Sequence, residues 1–138
     1  MRVYFAAAMT NPARDVEVLG TLLEHVEGGG HEVPTRHIVA PDGKRRDSAL
    51  TDGELARRDL DWIASCDVLV AEVSTPSHGV GIEVMAALGR RMPVLLLRRV
   101  GAPVSRLLLG LPGIEQAAYR SVEDARTAID TFLAGTAG

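Results

Sequence analysis

The segment Ser74-Thr75-Pro76-Ser77-His78-Gly79-Val80-Gly81-Ile82-Glu83 gathers three hydroxyls, two glycines and a carboxylate where an apolar run gives way to a helical pattern. Backbone N–H groups at a helix N-terminus point outward and favour an anion. Gly79 and Gly81 would let a phosphate approach that backbone closely, and Ser77 could donate a further hydrogen bond. The same residues also make a plain strand-to-helix turn capped by a serine. Glu83 stands out further, because the helix around it is almost all apolar (Val80, Ile82, Val84, Met85, Ala86, Ala87, Leu88). A carboxylate near a helix start is kept ionised by the helix dipole, so it suits a nucleophile better than a proton donor. The alternative is a side chain that only caps its own helix.

Asp59 is a second anomaly. On a helical wheel at about 100° per residue with Leu55 at zero, Trp62 lies near 340°, Ile63 near 80°, Ala56 near 100° and Leu60 near 140°. Asp59 falls near 40°, inside this apolar arc, whereas Asp61 at about 240° shares the polar side with Arg57. An acidic side chain turned inward needs a partner or a task. It either accepts a hydrogen bond from a neighbouring loop or works with Glu83. Two inward carboxylates in different surroundings are what glycosidic cleavage needs, one as nucleophile and one as acid or positioning group.

Other residues carry weaker signals. Tyr4, one of two tyrosines, reads as a core tyrosine with a satisfied hydroxyl when taken alone. His37 follows a short strand and either stacks on a base or finishes a turn. His25 and His31 read as surface residues. The histidines show no HxxxH or HExxH spacing, so no metal site is expected. Lys44-Arg45-Arg46 reads as a solvated loop tip, and Ser105 says little from pattern.

The elements that must position these residues alternate short apolar runs with helical patterns. Strands are expected at Arg2–Met9, His31–Thr35, Cys66–Val73, Pro93–Leu97 and Glu115–Tyr119. Helices are expected from Asn11-Pro12 to about Val26, from the capping box Thr51-Asp52-Gly53-Glu54 to about Ser65, and from Gly79 to about Arg91. A short helix is expected near Val104–Leu109, and Ser121 with Asp124 should cap a final one to Leu133, followed by a frayed tail. The polar stretch Ala40–Leu50 reads as a mobile loop. Strands apolar on both faces, alternating with helices, indicate a parallel sheet covered on both sides. The expected fold is α/β, a single-domain doubly wound five-stranded parallel sheet over residues 1–138, flavodoxin-like or Rossmann-like. Such sheets bind ligands beyond the carboxyl ends of their strands, which points to residues 8–12 and 74–80.

Composition narrows the function classes. A chain of 138 residues with 46% hydrophobic and 24% charged residues can bury one sizeable core unaided. Fifteen basic and 18 acidic residues give a net charge of −3, which argues against polymeric nucleic acid or an anionic membrane as partner. The single cysteine, Cys66, excludes an intrachain disulfide and a cysteine-built zinc cage. No apolar run approaches the roughly 18 residues of a membrane span. A cytoplasmic protein is expected.

Taken in order, YF near the N-terminus, DLDW, CDVLVAEV and PSHGVGIE resemble the nucleoside 2-deoxyribosyltransferase superfamily, and within it the 2'-deoxynucleoside 5'-monophosphate N-hydrolases. The resemblance spans nearly the whole chain and is strongest over residues 59–83. It implies Glu83 as the nucleophile, Asp59 as the group assisting departure of the base, and Tyr4 as the residue orienting the carboxylates. It implies Ser77 and Gly79 at the 5'-phosphate, and His37, Met9 and Trp62 near the base and site wall. Ser105, through an alignment with one small gap, matches a serine that reaches the phosphate from the partner subunit of a homodimer. The transferases place an aspartate where this chain has Ser77, to grip a free 5'-hydroxyl. Ala7, Ala8 and Thr10 replace the glycine, serine and basic residue that follow YF in better-known hydrolases, which removes a phosphate-side hydroxyl and a cation. The implied activity is hydrolysis of the N-glycosidic bond of a small nucleotide to free base and sugar 5-phosphate through a glycosyl–enzyme ester, with no cofactor. The alternatives are base exchange between deoxynucleosides, hydrolysis of CMP-type ribonucleotides, and a non-catalytic nucleotide-binding module.

Overall fold

The computed structural model describes residues 1–138. Strands β1 (Val3–Ala6), β2 (Val68–Glu72), β3 (Val94–Arg99) and β4 (Ile114–Tyr119) form one parallel sheet in the order β1-β2-β3-β4. The helices are α1 (Val16–Gly28), α2 (Gly43–Ser48), α3 (Asp52–Ser65), α4 (His78–Gly89), α5 (Arg106–Leu109) and α6 (Val122–Thr136), with a 3-10 turn at Arg36–Val39. Side chains alternate between faces along each strand. Val3 and Phe5 therefore join the core under α1 and α6, with Leu22, Val26, Val70, Leu95 and Ile129. Tyr4 and Ala6 join the other core under α3 and α4, with Ile63, Leu69, Val84 and Leu96. Helices cover both faces, and the period of two turns Tyr4 toward α3 and α4.

The sheet has four strands rather than five. The expected strand at His31–Thr35 is reduced to a single parallel bridge between Arg2 and Glu32. Pro34 has no N–H to give to a ladder. One residue later the hydroxyl of Thr35 takes the place of a backbone partner: it accepts from the Phe5 N–H (3.2 Å) and donates to the Phe5 carbonyl (2.7 Å). The chain then turns into the 3-10 segment. It passes along the outer edge of β1, where the fifth strand would run, without pairing further.

Three local expectations shift as well. Helix α1 begins at Val16, capped by Asp15, whose carboxylate accepts from the Val18 N–H at 3.1 Å. Asn11 instead accepts from the Ala13 N–H (3.0 Å) and donates to the Pro76 carbonyl (3.3 Å), tying the loop after β1 to the loop after β2. The stretch expected as a mobile loop contains α2, steadied by an Arg46–Asp42 pair four residues apart. Helix α6 continues to Thr136, past the expected stop, whose hydroxyl donates to the Phe132 and Leu133 carbonyls. The capping boxes at Thr51/Glu54 and Ser121/Asp124 are both present.

Candidate active site

The hydroxyl of Tyr4, the second residue of β1, donates to Glu83 Oε1 at 2.7 Å. The pair faces a small cavity of about 30 Å³, lined also by Met9, His37, Asp47 and Asp59. Helix α4 brings Glu83 there from its second turn, since its N-cap is Ser77 and its first turn holds no acidic residue. The helix dipole fades beyond the first turn, so it does not hold this carboxylate ionised as expected. Burial pushes the Glu83 carboxyl up to about 7, and the Asp59 charge adds to the rise. The Tyr4 hydrogen bond and the Arg58 charge act in the opposite direction. Burial, together with the charge of Glu83, drives the Tyr4 hydroxyl far above its ordinary value. Tyr4 therefore stays a donor at any working pH.

Asp59 takes the inward position that the helical wheel gives it, with 21% of its side chain exposed, while Asp61 is exposed. The apolar arc is narrower than expected: Ala56 and Leu60 are exposed and Leu55 is half-buried outside the core, while Ile63 and Trp62 carry the packing. Asp59 is held by Arg58, whose Nε (2.9 Å) and Nη2 (2.8 Å) both reach Asp59 Oδ1. The same guanidinium donates through Nη1 to Asp47 Oδ1 at 2.8 Å and lies 4.6 Å over the Trp62 ring. His37 completes the group, with Nε2 3.2 Å from Asp47 Oδ1. Burial lowers the pKa of this imidazole, and its Nδ1 is buried without a partner. Arg58 Nη2, which can only donate, lies 3.4 Å from the same Nε2, and a neutral ring accepting there carries its proton on Nδ1, which is then a donor.

The other expected site residues lie farther out. Trp62 lines a neighbouring cleft of about 340 Å³ with His37, Arg46 and Arg58, and tilts 49° against His37 with ring centres 5.6 Å apart. Ser77 caps α4 by accepting from the Val80 N–H at 3.3 Å. It lines a wider groove of about 800 Å³ together with Gly81 and Ser105. Gly79 does not line that groove, although it sits in the same first turn. A Cβ at Gly79 would meet only the Ser77 hydroxyl, at 3.7 Å, so the fold itself does not require glycine there. Ser105 is exposed and its side chain makes no capping bond. On the phosphate side Ala7 and Ala8 are buried and Thr10 is exposed. Arg14 reaches that loop, but its Nη1 is committed to the carbonyls of Ala8 (3.2 Å) and Ile38 (2.7 Å). No three His, Cys, Asp or Glu side chains come together to hold a metal ion.

Two participants escaped the sequence reading. Arg58 had a signal, since it stands four residues before Trp62 and falls near 300° on the wheel, about 40° from it. Asp47 had none, because it lies in the stretch expected to be a loop.

Comparison with known proteins places this parallel α/β sandwich, with Tyr4, Asp59 and Glu83 around one cavity, among the nucleotide N-hydrolases. No family model matches the chain. A protein of Thermofilum pendens, provisionally named 2'-deoxynucleoside 5'-phosphate N-hydrolase 1, is 36% identical over 140 residues, covering 99% of this chain and 97% of its own. The 5-hydroxymethyl-dUMP N-hydrolase of Esox lucius is 34% identical over 102 residues, covering 72% and 70%. Among solved structures, the CMP N-glycosidase of Clostridium botulinum superposes with a TM-score of 0.71 at 20% identity over 96% of this chain and 99% of its own, and so shares the fold. The chain belongs to the 2'-deoxynucleoside 5'-phosphate N-hydrolase family.

Proposed function

We propose that this protein hydrolyses the N-glycosidic bond of a 2'-deoxynucleoside 5'-monophosphate. The observation that carries the reading is the Tyr4–Glu83 hydrogen bond in a cavity shared with Asp59. Ionised Glu83 attacks the anomeric carbon as the bond to the base breaks, and the base leaves with that electron pair and gains a proton. Asp59 assists this departure. Tyr4 keeps one Glu83 oxygen in place, which leaves the other to attack. Water then attacks the same carbon, breaks the ester, gives up a proton and frees the sugar 5-phosphate. Two displacements retain configuration. His37 and Met9 border the base, with the unpartnered His37 Nδ1–H available to an acceptor on it, and Trp62 backs that wall.

The 5'-phosphate lies at Ser77 and the backbone around Gly79, where the α4 N-terminus favours an anion. Ser105 from a second copy completes that site in a homodimer. Three exposed apolar side chains, Ile82 (65%), Met85 (53%) and Leu107 (79%), surround the groove and support this assembly. No helix is long and apolar enough to cross a membrane, and the lone free thiol of Cys66 suits the reducing cytoplasm.

One chromatographic assay tests the reading. The protein is incubated separately with deoxynucleoside monophosphates, with CMP, with nucleosides, and with nucleoside plus free base. Free base and deoxyribose 5-phosphate from the first set are expected. Base exchange in the last set alone would make it a transferase. Turnover of CMP alone would make it a ribonucleotide hydrolase, and no product anywhere would leave a binding module.

A further inference from the structure

The residue that joins the site to its surroundings is Arg58, which neither the sequence motifs nor the proposed mechanism assigns. Its guanidinium spends two N–H groups on one oxygen of Asp59, at 2.9 and 2.8 Å, so Asp59 Oδ2 is left free of the fork. A third N–H reaches Asp47 of α2 at 2.8 Å, and the Trp62 ring beneath fixes the plane. An arginine held on three sides is a preorganised charge. The titratable groups lining the cavity are Tyr4 from β1, Asp59 from α3, His37 from the 3-10 turn, Asp47 from α2 and Glu83 from α4, and Arg58 stands behind them, bound to Asp59 and Asp47. Arg58 is the cation that opposes the rise of the Glu83 carboxyl.

We propose that Arg58 is a positioning residue for glycosidic cleavage. It aims the free oxygen of Asp59 at the substrate and keeps a fixed positive charge on Asp59 and Asp47, behind the wall of the cavity that Glu83 faces, without touching either substrate or Glu83. The role rests on the reading of Glu83 and Asp59 given above. Lysine keeps the charge but lacks the planar fork, so the two functions separate by substitution.

The test follows the Glu83 carboxyl carbon by NMR against pH in the wild-type chain, Arg58→Gln and Arg58→Lys, alongside kcat and KM on a deoxynucleoside monophosphate. In Arg58→Gln the Glu83 midpoint should rise by at least about half a pH unit, with kcat falling about tenfold or more and KM changing less. Arg58→Lys should restore the midpoint while recovering only part of kcat. An unchanged midpoint in Arg58→Gln, in a chain with wild-type circular dichroism, overturns the proposal. So does full recovery of kcat by lysine. Should Arg58→Gln unfold, Asp47→Asn loosens the same guanidinium from α2 and should lower kcat through a less ordered Asp59; wild-type kcat there also overturns the role. The NMR midpoint is read without turnover, so a wild-type protein inactive on every nucleotide would refute the proposed function while the charge relation is still measured.

Discussion

Glu83 carries opposite demands in stability and in chemistry. The folded chain holds its proton to about pH 7, while the unfolded chain releases it near the ordinary 4.5. Between those values the folded state binds more protons, so its stability falls as pH rises and is restored on acidification. The full effect above pH 7 is on the order of 3 kcal/mol. Glu83→Gln keeps the Tyr4 hydrogen bond and removes the charge. It is expected to unfold at higher temperature than wild type at pH 8 and at the same temperature at pH 4, which a thermal melt at both pH values checks. The same substitution should lower turnover by orders of magnitude, and a tenth of the normal rate would remove Glu83 from the nucleophile's role. Because attack needs the ionised form, kcat/KM should rise with pH through an acid limb near 7. Asp59→Asn should depress turnover strongly and Asp61→Asn little, since one side chain faces the cavity and the other solvent. Equal, mild losses would show that α3 presents another face.

At the scale of elements, helix α4 links the two halves of the proposed site, with Ser77 at its cap and Glu83 in its second turn. Replacing Ser77 with aspartate would set a carboxylate against the phosphate. At about 4 Å and an effective dielectric near 20 that repulsion is on the order of 4 kcal/mol, nearly a thousandfold in binding. Ser77→Asp should therefore lower kcat/KM for the monophosphate far more than for the nucleoside, and the ratio of the two in each protein is the measurement. A wild-type ratio near one would discard the phosphate pocket. Much of this layer was legible in the sequence: the strand runs at 66–73 and 93–97, the capping boxes at Thr51 and Ser121, and the inward turn of Asp59 all follow from local pattern. The lost fifth strand was not, because the run at 31–35 has a strand's composition. What decides against it is a tertiary event, the Thr35 hydroxyl meeting Phe5. Helix α2 was missed for a related reason, since Lys44 to Ser48 are polar throughout and their fold depends on what Asp47 meets.

For the whole molecule, the apolar side chains left exposed on α4 and α5 are the feature that local pattern could not settle. The run from Val80 to Leu88 is apolar apart from Gly81 and Glu83, yet Ile82 and Met85 face outward. If a second copy covers them, sedimentation should give a dimer at micromolar concentration, and Leu107→Glu should split it and lower activity with the fold intact. Ser105→Ala should weaken nucleotide binding without unfolding the chain. A fully active monomer would reject the shared site.

The hydroxyl that stands in for a fifth strand also makes β1 unequal to its neighbours in time. Amides of β2 are flanked by ladders on both sides, whereas the Phe5 N–H rests on one side-chain oxygen from a segment otherwise tied to this edge by a single bridge, Arg2 to Glu32. Such an amide exchanges with deuterium through local opening of residues 31–39 and not through global unfolding. Two residues beyond Thr35 the same segment carries His37, the wall of the cavity. The Phe5 amide is thus a built-in clock for how often that wall leaves the sheet, and a nucleotide that fills the cavity should slow it.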